Sequence, residues 1–152
     1  MDLENAYDKI YRYVYFRIQN QTVAEDITQE TFLHFISRKG NIHDYEMKYL
    51  YTIARNLCVD EFRRVKPDSL SEDAEKMPAI WDDTLEERMA VREAVAKLPI
   101  EDQEILLLRY VNNESVGTIS KTLGISRFTL YRRLKSAEDK LRDSLEAGDY
   151  EK

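Results

Sequence analysis

Residues 115–141 read SVGTISKTLGISRFTLYRRLKSAEDKL. Ile119 and Leu123 stand four apart, the spacing of one face of a short helix. Gly124 can take the positive φ that ends such a helix, and Ile125 plugs the turn behind it. Ser126 is then placed to cap a second helix whose Leu130, Leu134, Ala137 and Leu141 face inward. Two helices across a tight glycine turn make a helix-turn-helix. At about 100° per residue, Phe128, Arg132 and Lys135 lie opposite Leu130 and Ala137, flanked by Tyr131 and Ser136. Segment 115–137 carries Lys121, Arg127, Arg132, Arg133 and Lys135 and no acid, a net charge of +5. Such cations pair with guanine edges or phosphates, and an aromatic ring can touch a thymine methyl. A solvated hairpin that binds nothing is the rival reading, and both the turn chemistry and the charge segregation stand against it.

The rest of the chain fits around that motif. Its 152 residues allow one ordinary domain or two small ones. With 43% hydrophobic and 34% charged residues it is a folded chain with a highly charged surface. Only 4 Gly and 3 Pro favour helices over a turn-rich β architecture. The lone Cys58 excludes an intrachain disulfide and points to a reducing compartment, so a cytoplasmic location is expected. Met1–Asn5 is acidic and lacks the apolar core of a signal peptide, and no apolar run reaches membrane-spanning length. No membrane insertion is expected.

There are 23 Lys+Arg against 29 Asp+Glu, a formal net charge of −6, which by itself counts against nucleic acid. Its distribution reverses that inference. Residues 66–85 hold Lys66 and Lys76 against Asp68, Glu72, Asp73, Glu75, Asp82 and Asp83, net −4, together with Pro67 and Pro78. Proline and acid without a repeating apolar stripe read as a tether. The expected organisation is therefore a domain over 1–65, an acidic linker over 66–85, a second domain over 86–147, and a tail over 148–152.

Both domains read as helical, which makes the fold class all-α. In 22–37, Thr22 is a candidate N-cap with Glu25 three residues on, while Ala24, Ile27, Thr31 and Phe35 share a face. In 48–64, Leu50, Ile53, Ala54 and Leu57 do the same. Leu85, Met89 and Val95–Leu98 fit a helix that ends before Pro99, Ile105–Val111 another, and two more follow Asn112-Asn113.

Three further stretches carry chemistry. Opposite the apolar stripe of 48–64 lie Lys48, Thr52, Arg55, Asn56 and Arg63, with Tyr45, Tyr49 and Tyr51 near its start. Interleaved cations and rings suit single-stranded nucleic acid. Taken alone, half-buried tyrosines and surface arginines explain the stretch better. In 23–36 the outer face carries Glu25, Asp26, Gln29 and Glu30 around Leu33, and an apolar side chain centred among acids is a modest sign of a protein docking site. The tether is either a spacer or a mimic of nucleic acid in a basic channel.

Catalysis finds little support. His34 and His43 have no Cys or carboxylate partner at ligand spacing, and phosphate loops and nucleophile elbows are missing. Glu101-Asp102-Gln103-Glu104 can in principle hold Mg²⁺, but acids after a proline at a helix start are better explained by the macrodipole. No cofactor, metal site or enzymatic activity is expected.

Taken in order, these stretches resemble the extracytoplasmic-function (group 4) sigma factors of bacterial RNA polymerase, over nearly the whole chain. Asp26-Ile27-Thr28-Gln29-Glu30-Thr31-Phe32-Leu33 is similar to the family's region 2.2. Tyr49-Leu50-Tyr51-Thr52-Ile53-Ala54-Arg55-Asn56, with Asp60 and Arg63-Arg64, looks like regions 2.3–2.4. Leu98-Pro99 through Leu106-Leu107-Leu108-Arg109-Tyr110 resembles region 4.1, and the helix-turn-helix matches region 4.2. Each alone is moderate; four in sequence around an acidic linker are specific.

The resemblance implies roles. Asp26, Gln29, Glu30 and Leu33 would contact the β′ clamp helices of core polymerase, and the second domain the β flap. The loop 38–46, with Asn41, His43 and Tyr45, would capture a flipped −10 base, aided by Lys48, Tyr49, Thr52, Arg55, Asn56 and Arg63. Ser126, Arg127, Phe128, Thr129, Tyr131, Arg132, Arg133 and Lys135 would read the −35 element as duplex promoter DNA. The linker would thread the RNA exit path. The short amino terminus implies control by an anti-sigma factor. Tyr49 stands where the family usually has Trp, Thr118 where Glu is common, Ser120 for Ala and Ser136 for Arg; these departures bear on promoter sequence, not on class. A stand-alone helix-turn-helix regulator and a sigma-like adaptor that binds no DNA are the alternatives.

Overall fold

The computed structural model describes residues 3–38, 46–64 and 85–150, and among the described residues every regular element is helical. The chain divides into two compact units, Met1–Pro78 and Ala79–Lys152. The tether predicted at 66–85 lies outside the described residues, apart from Leu85.

The first unit packs three helices pairwise against one another, α1 (Leu3–Ile18), α2 (Gln21–Arg38) and α3 (Glu46–Arg64). Sequence reading did not single out α1, although Ala6, Ile10, Tyr13, Val14 and Ile18 follow helical spacing and are buried. The turn into α2 explains a second difference. Gln19 adopts φ 58, its N–H bonding back to the Tyr15 carbonyl at 2.7 Å, so α1 ends at Ile18, two residues before Asn20. The Asn20 Oδ1 then accepts from the Val23 N–H at 3.0 Å. Asn20, not Thr22, caps α2, because the cap must be the first residue past that left-handed stop. Glu25 takes a bond from the Gln21 side chain instead, at 3.3 Å.

Ala24, Ile27, Thr31 and Phe35 are buried as their spacing predicts, and Thr28 joins them. The two threonines are tolerated there because their hydroxyls donate within the helix, Thr28 to the Ala24 carbonyl at 2.6 Å and Thr31 to that of Ile27 at 2.7 Å. The phase of α3 differs from the predicted stripe. Its fully buried side chains are Leu50, Tyr51, Ala54 and Cys58, whereas Ile53 and Leu57 are half-buried. The helix is rotated to bring the Tyr51 ring inward against Tyr13.

The second unit comprises α4 (Leu85–Ala96), α5 (Ile100–Leu106), α6 (Val116–Leu123) and α7 (Arg127–Tyr150). The Pro99 carbonyl accepts the first N–H groups of α5, from Asp102 at 3.0 Å and Gln103 at 3.1 Å. Leu107–Val111 continues α5 as one wide π turn, closed by the Asn112 N–H on the Leu107 carbonyl at 2.9 Å. Ile105, Leu106, Leu107 and Leu108 are all buried, so this stretch is apolar all round and sits at the centre of its unit. α7 packs against α4, α5 and α6, with Ala137 and Leu141 meeting Leu98 and Leu106. The acids at the start of α5 have a further use. The Asp102 carboxylate pairs with the Lys140 ammonium at 3.0 Å and ties α5 to α7. No group of three or more metal-ligating side chains occurs among the described residues.

Candidate nucleic-acid interface

The helix-turn-helix is built by two serine caps and one glycine. Ser115 Oγ accepts the Thr118 N–H at 3.1 Å and starts α6. Gly124, at φ 70 and ψ 32, ends it, with its own N–H and that of Ile125 both on the Ser120 carbonyl. Ser126 repeats the pattern for α7, its Oγ accepting the Thr129 N–H at 3.1 Å. Ser126 and Thr129 also bond hydroxyl to hydroxyl at 3.0 Å, so both hydroxyls take part in the cap.

The inner face of α7 is Leu130, Leu134 and Ala137, all buried, with Leu141 half-buried below them. The outer face presents Arg127, Phe128, Tyr131, Arg132, Arg133, Lys135 and Ser136, all exposed; Thr129 is half-buried at the edge. Burial of Leu130 and Ala137 fixes the helix rotation and so turns the cations outward. The Arg132 guanidinium lies over the Phe128 ring, 5.7 Å from its centroid. Arg127 bends back toward α6, where a Cβ built on Gly117 would stand 2.9 Å from its guanidinium. The absence of a side chain at Gly117 leaves room for that arginine.

In the first unit, Glu25, Asp26, Gln29 and Glu30 are exposed on α2 around Leu33, which is 65% exposed. Ile36, 61% exposed and one turn on, extends the apolar centre of that face. Its i, i+3 spacing to Leu33 was the signal that sequence reading passed over. On α3, Tyr49, Thr52, Asn56 and Arg63 are exposed and Lys48 and Arg55 half-buried. The Lys48 ammonium stands 5.6 Å from the centroid of the Tyr49 ring, and the Thr52 hydroxyl donates to the Lys48 carbonyl at 2.9 Å. Phe62 is a further exposed ring on α3 that was not predicted. Tyr51, which the sequence grouped with Tyr45 and Tyr49, belongs to the core. Asn41, His43 and Tyr45 lie outside the described residues.

These faces can hold an acidic partner on α7 and an apolar-centred, basic-rimmed partner on α2. No described helix is long and apolar enough to cross a membrane.

Residues 3–67 match the family model for sigma-70 region 2, and residues 88–141 match that for sigma-70, region 4. The chain is similar to the ECF RNA polymerase sigma factor BldN of Streptomyces coelicolor, 33% identical over 77% of this chain and 48% of that protein. It is similar to the ECF RNA polymerase sigma factor SigE of Mycolicibacterium smegmatis, 30% identical over 91% of this chain and 58% of that protein. The ECF RNA polymerase sigma factor SigW of Bacillus subtilis is 29% identical over 95% of this chain and 87% of its own length. The chain thus spans about half the length of BldN and SigE and most of SigW. Its fold is shared with the sigma factor RpoE of Bartonella quintana, solved with the anti-sigma factor NepR, at TM-score 0.70, 16% identity and coverage of 95% and 94% of the two chains.

Proposed function

The chain belongs to the sigma-70 family of RNA polymerase sigma factors, in its extracytoplasmic-function branch, and from that premise we propose that it directs core RNA polymerase to particular promoters and starts transcription there. The observation that carries the proposal is the outer face of α7, where Arg127, Arg132, Arg133 and Lys135 stand around exposed Phe128 and Tyr131 while Leu130 and Ala137 hold the helix in its unit.

The steps follow from the faces. Leu33, with Asp26, Gln29 and Glu30 around it, docks on the β′ clamp helices, and the second unit seats on the β flap. α7 enters the major groove at the −35 element through its amino-terminal turns, from Ser126 to Lys135. Lys48, Tyr49, Thr52, Arg55, Asn56 and Arg63, with Asn41, His43 and Tyr45 ahead of them, hold the −10 non-template strand once it opens. Unpairing costs a few kcal/mol per flipped base, and stacking on an aromatic ring returns about 1–3 kcal/mol. Strand opening therefore needs no nucleotide hydrolysis and no catalytic group on this chain. The protein works in the cytoplasm, and a protein that covers the α2 face or the α7 face would act as its anti-sigma factor.

A stand-alone regulator would have no use for an exposed leucine amid acids on α2. With a net charge of −6, the isolated chain should also hold free DNA weakly at physiological salt. Run-off transcription from a genomic library with core polymerase is the test. Starts that share spaced −10 and −35 motifs are expected with the chain and not without it. A tight footprint from the chain alone, or no added start, overturns the proposal.

A further inference from the structure

We infer that Phe128 and Arg132 form one reading unit that selects a thymine within two steps of a guanine in the −35 duplex. The inference rests on the promoter-reading role of α7 and adds the bases it chooses. Phe128 is 75% exposed, more than any other exposed large hydrophobic side chain among the described residues. The core does not need it, since Leu130, Leu134 and Ala137 already fill the inner face of α7. It is the second residue of α7, in the turn that meets base edges in a recognition helix. Its ring is held by Arg132 one turn on, with 5.7 Å between guanidinium carbon and ring centroid.

That contact decides what each group can still do. The ring engages the guanidinium as a cation over its face, and the guanidinium carries five N–H donors in its own plane, none of which the ring uses up as a hydrogen-bond partner. A bidentate pair of such donors matches O6 and N7 of guanine. The ring keeps its second face and its edge, and the apolar feature a major groove offers it is the C5-methyl of thymine. Base pairs rise about 3.4 Å per step, so two groups 5.7 Å apart reach bases one or two steps from each other. No carboxylate occurs in 115–137, so nothing in the segment repels a phosphate backbone from this pair.

The test uses the full chain with core polymerase on promoters randomised across the −35 element. The wild-type chain should enrich a thymine within two steps of a guanine. Phe128→Ala should keep the guanine and lose the thymine preference; being exposed, the site should leave helix content unchanged. Arg132→Ala removes the donors and should lose the guanine preference, while Arg132→Lys keeps the charge but not the planar fork and should only weaken it. Replacing the chosen thymine by deoxyuridine removes only the methyl. It should weaken the wild-type response about fourfold, the ratio given by burying one methyl-sized group, and leave Phe128→Ala unaffected. Indifference of the wild type to uracil, or an equal loss on every promoter for Phe128→Ala, overturns the inference and makes the ring a contact for protein or backbone. If the wild-type chain yields no start on any template, the sigma reading falls and takes this inference with it.

Discussion

Tyr13 of α1 and Tyr51 of α3 meet edge to face, ring centroids 5.4 Å apart at 78°, with neither residue exposed. This geometry sets the positive ring edge of one against the negative face of the other and adds about 0.5–1.5 kcal/mol to the area buried. The pair joins α3, which carries the basic-aromatic face, to α1. Tyr51→Ala should remove about 3–5 kcal/mol, the usual cost of deleting a buried ring, which is most of what a unit this small can hold. The thermal transition of the first unit should then be lost while that of the second remains. Tyr51→Phe keeps the ring contact and should lose far less.

Gly124→Ala tests the turn of the helix-turn-helix. A Cβ at Gly124 meets nothing within 4 Å, so the only penalty is the backbone at φ 70. The expected cost is about 1–2 kcal/mol. That lowers the melting midpoint of a unit of this size by about 4–8 °C per kcal/mol. Gly124→Asn should cost less, since asparagine tolerates the left-handed region. Equal losses for both would mean that the turn is limited by packing.

Tyr110 donates a hydrogen bond to Glu138, linking the π turn to α7. That bond first, and then burial and the Glu138 charge, raise the phenol above its ordinary value of 10.0, while Arg109 acts the other way. A raised value means that the folded chain holds the proton more tightly than the unfolded one. The contribution is complete below pH 10.0 and is lost as pH rises through the folded value. The group is mostly exposed, so the effect should be small. The midpoint of the second unit should fall more above pH 10.0 in the wild type than in Tyr110→Phe. Their difference spectrum should show one late-titrating tyrosinate.

The helix-turn-helix could be read from sequence because its determinants are local. A serine, a glycine and leucines at fixed offsets decide it without help from distant residues, and Ser126, Gly124, Leu130 and Ala137 stand where their types require. The rotation of α3 could not be read that way. Leu50 and Ala54 fit either phase, and the choice of Tyr51 and Cys58 over Ile53 and Leu57 depends on Tyr13, a residue of another helix. The Asn20 cap was hidden for a similar reason, since it follows from the left-handed backbone at Gln19. Leu33 was readable as an exposed leucine amid acids, and Ile36 was readable too, three residues on from Leu33 and next to a Phe35 that the stripe already turns inward.

Leu33 and Ile36 lead to the last prediction. Both are more than half exposed on one side of α2, an arrangement that costs the free chain apolar hydration and pays back only when a partner covers it. Leu33→Glu should weaken binding to core polymerase by at least about 2 kcal/mol, some thirtyfold, if the leucine is an anchor of the contact. Ile36→Glu should weaken it less, and the double variant by less than the sum, because the two side chains share one patch. Both are mostly exposed and neither belongs to the buried stripe of Ala24, Ile27, Thr31 and Phe35, so circular dichroism and the melting midpoint should stay as in the wild type. Titration of labelled chain with core polymerase reads the outcome. Undiminished affinity in Leu33→Glu would remove α2 from the docking surface and leave the acids beside it as a solvated face.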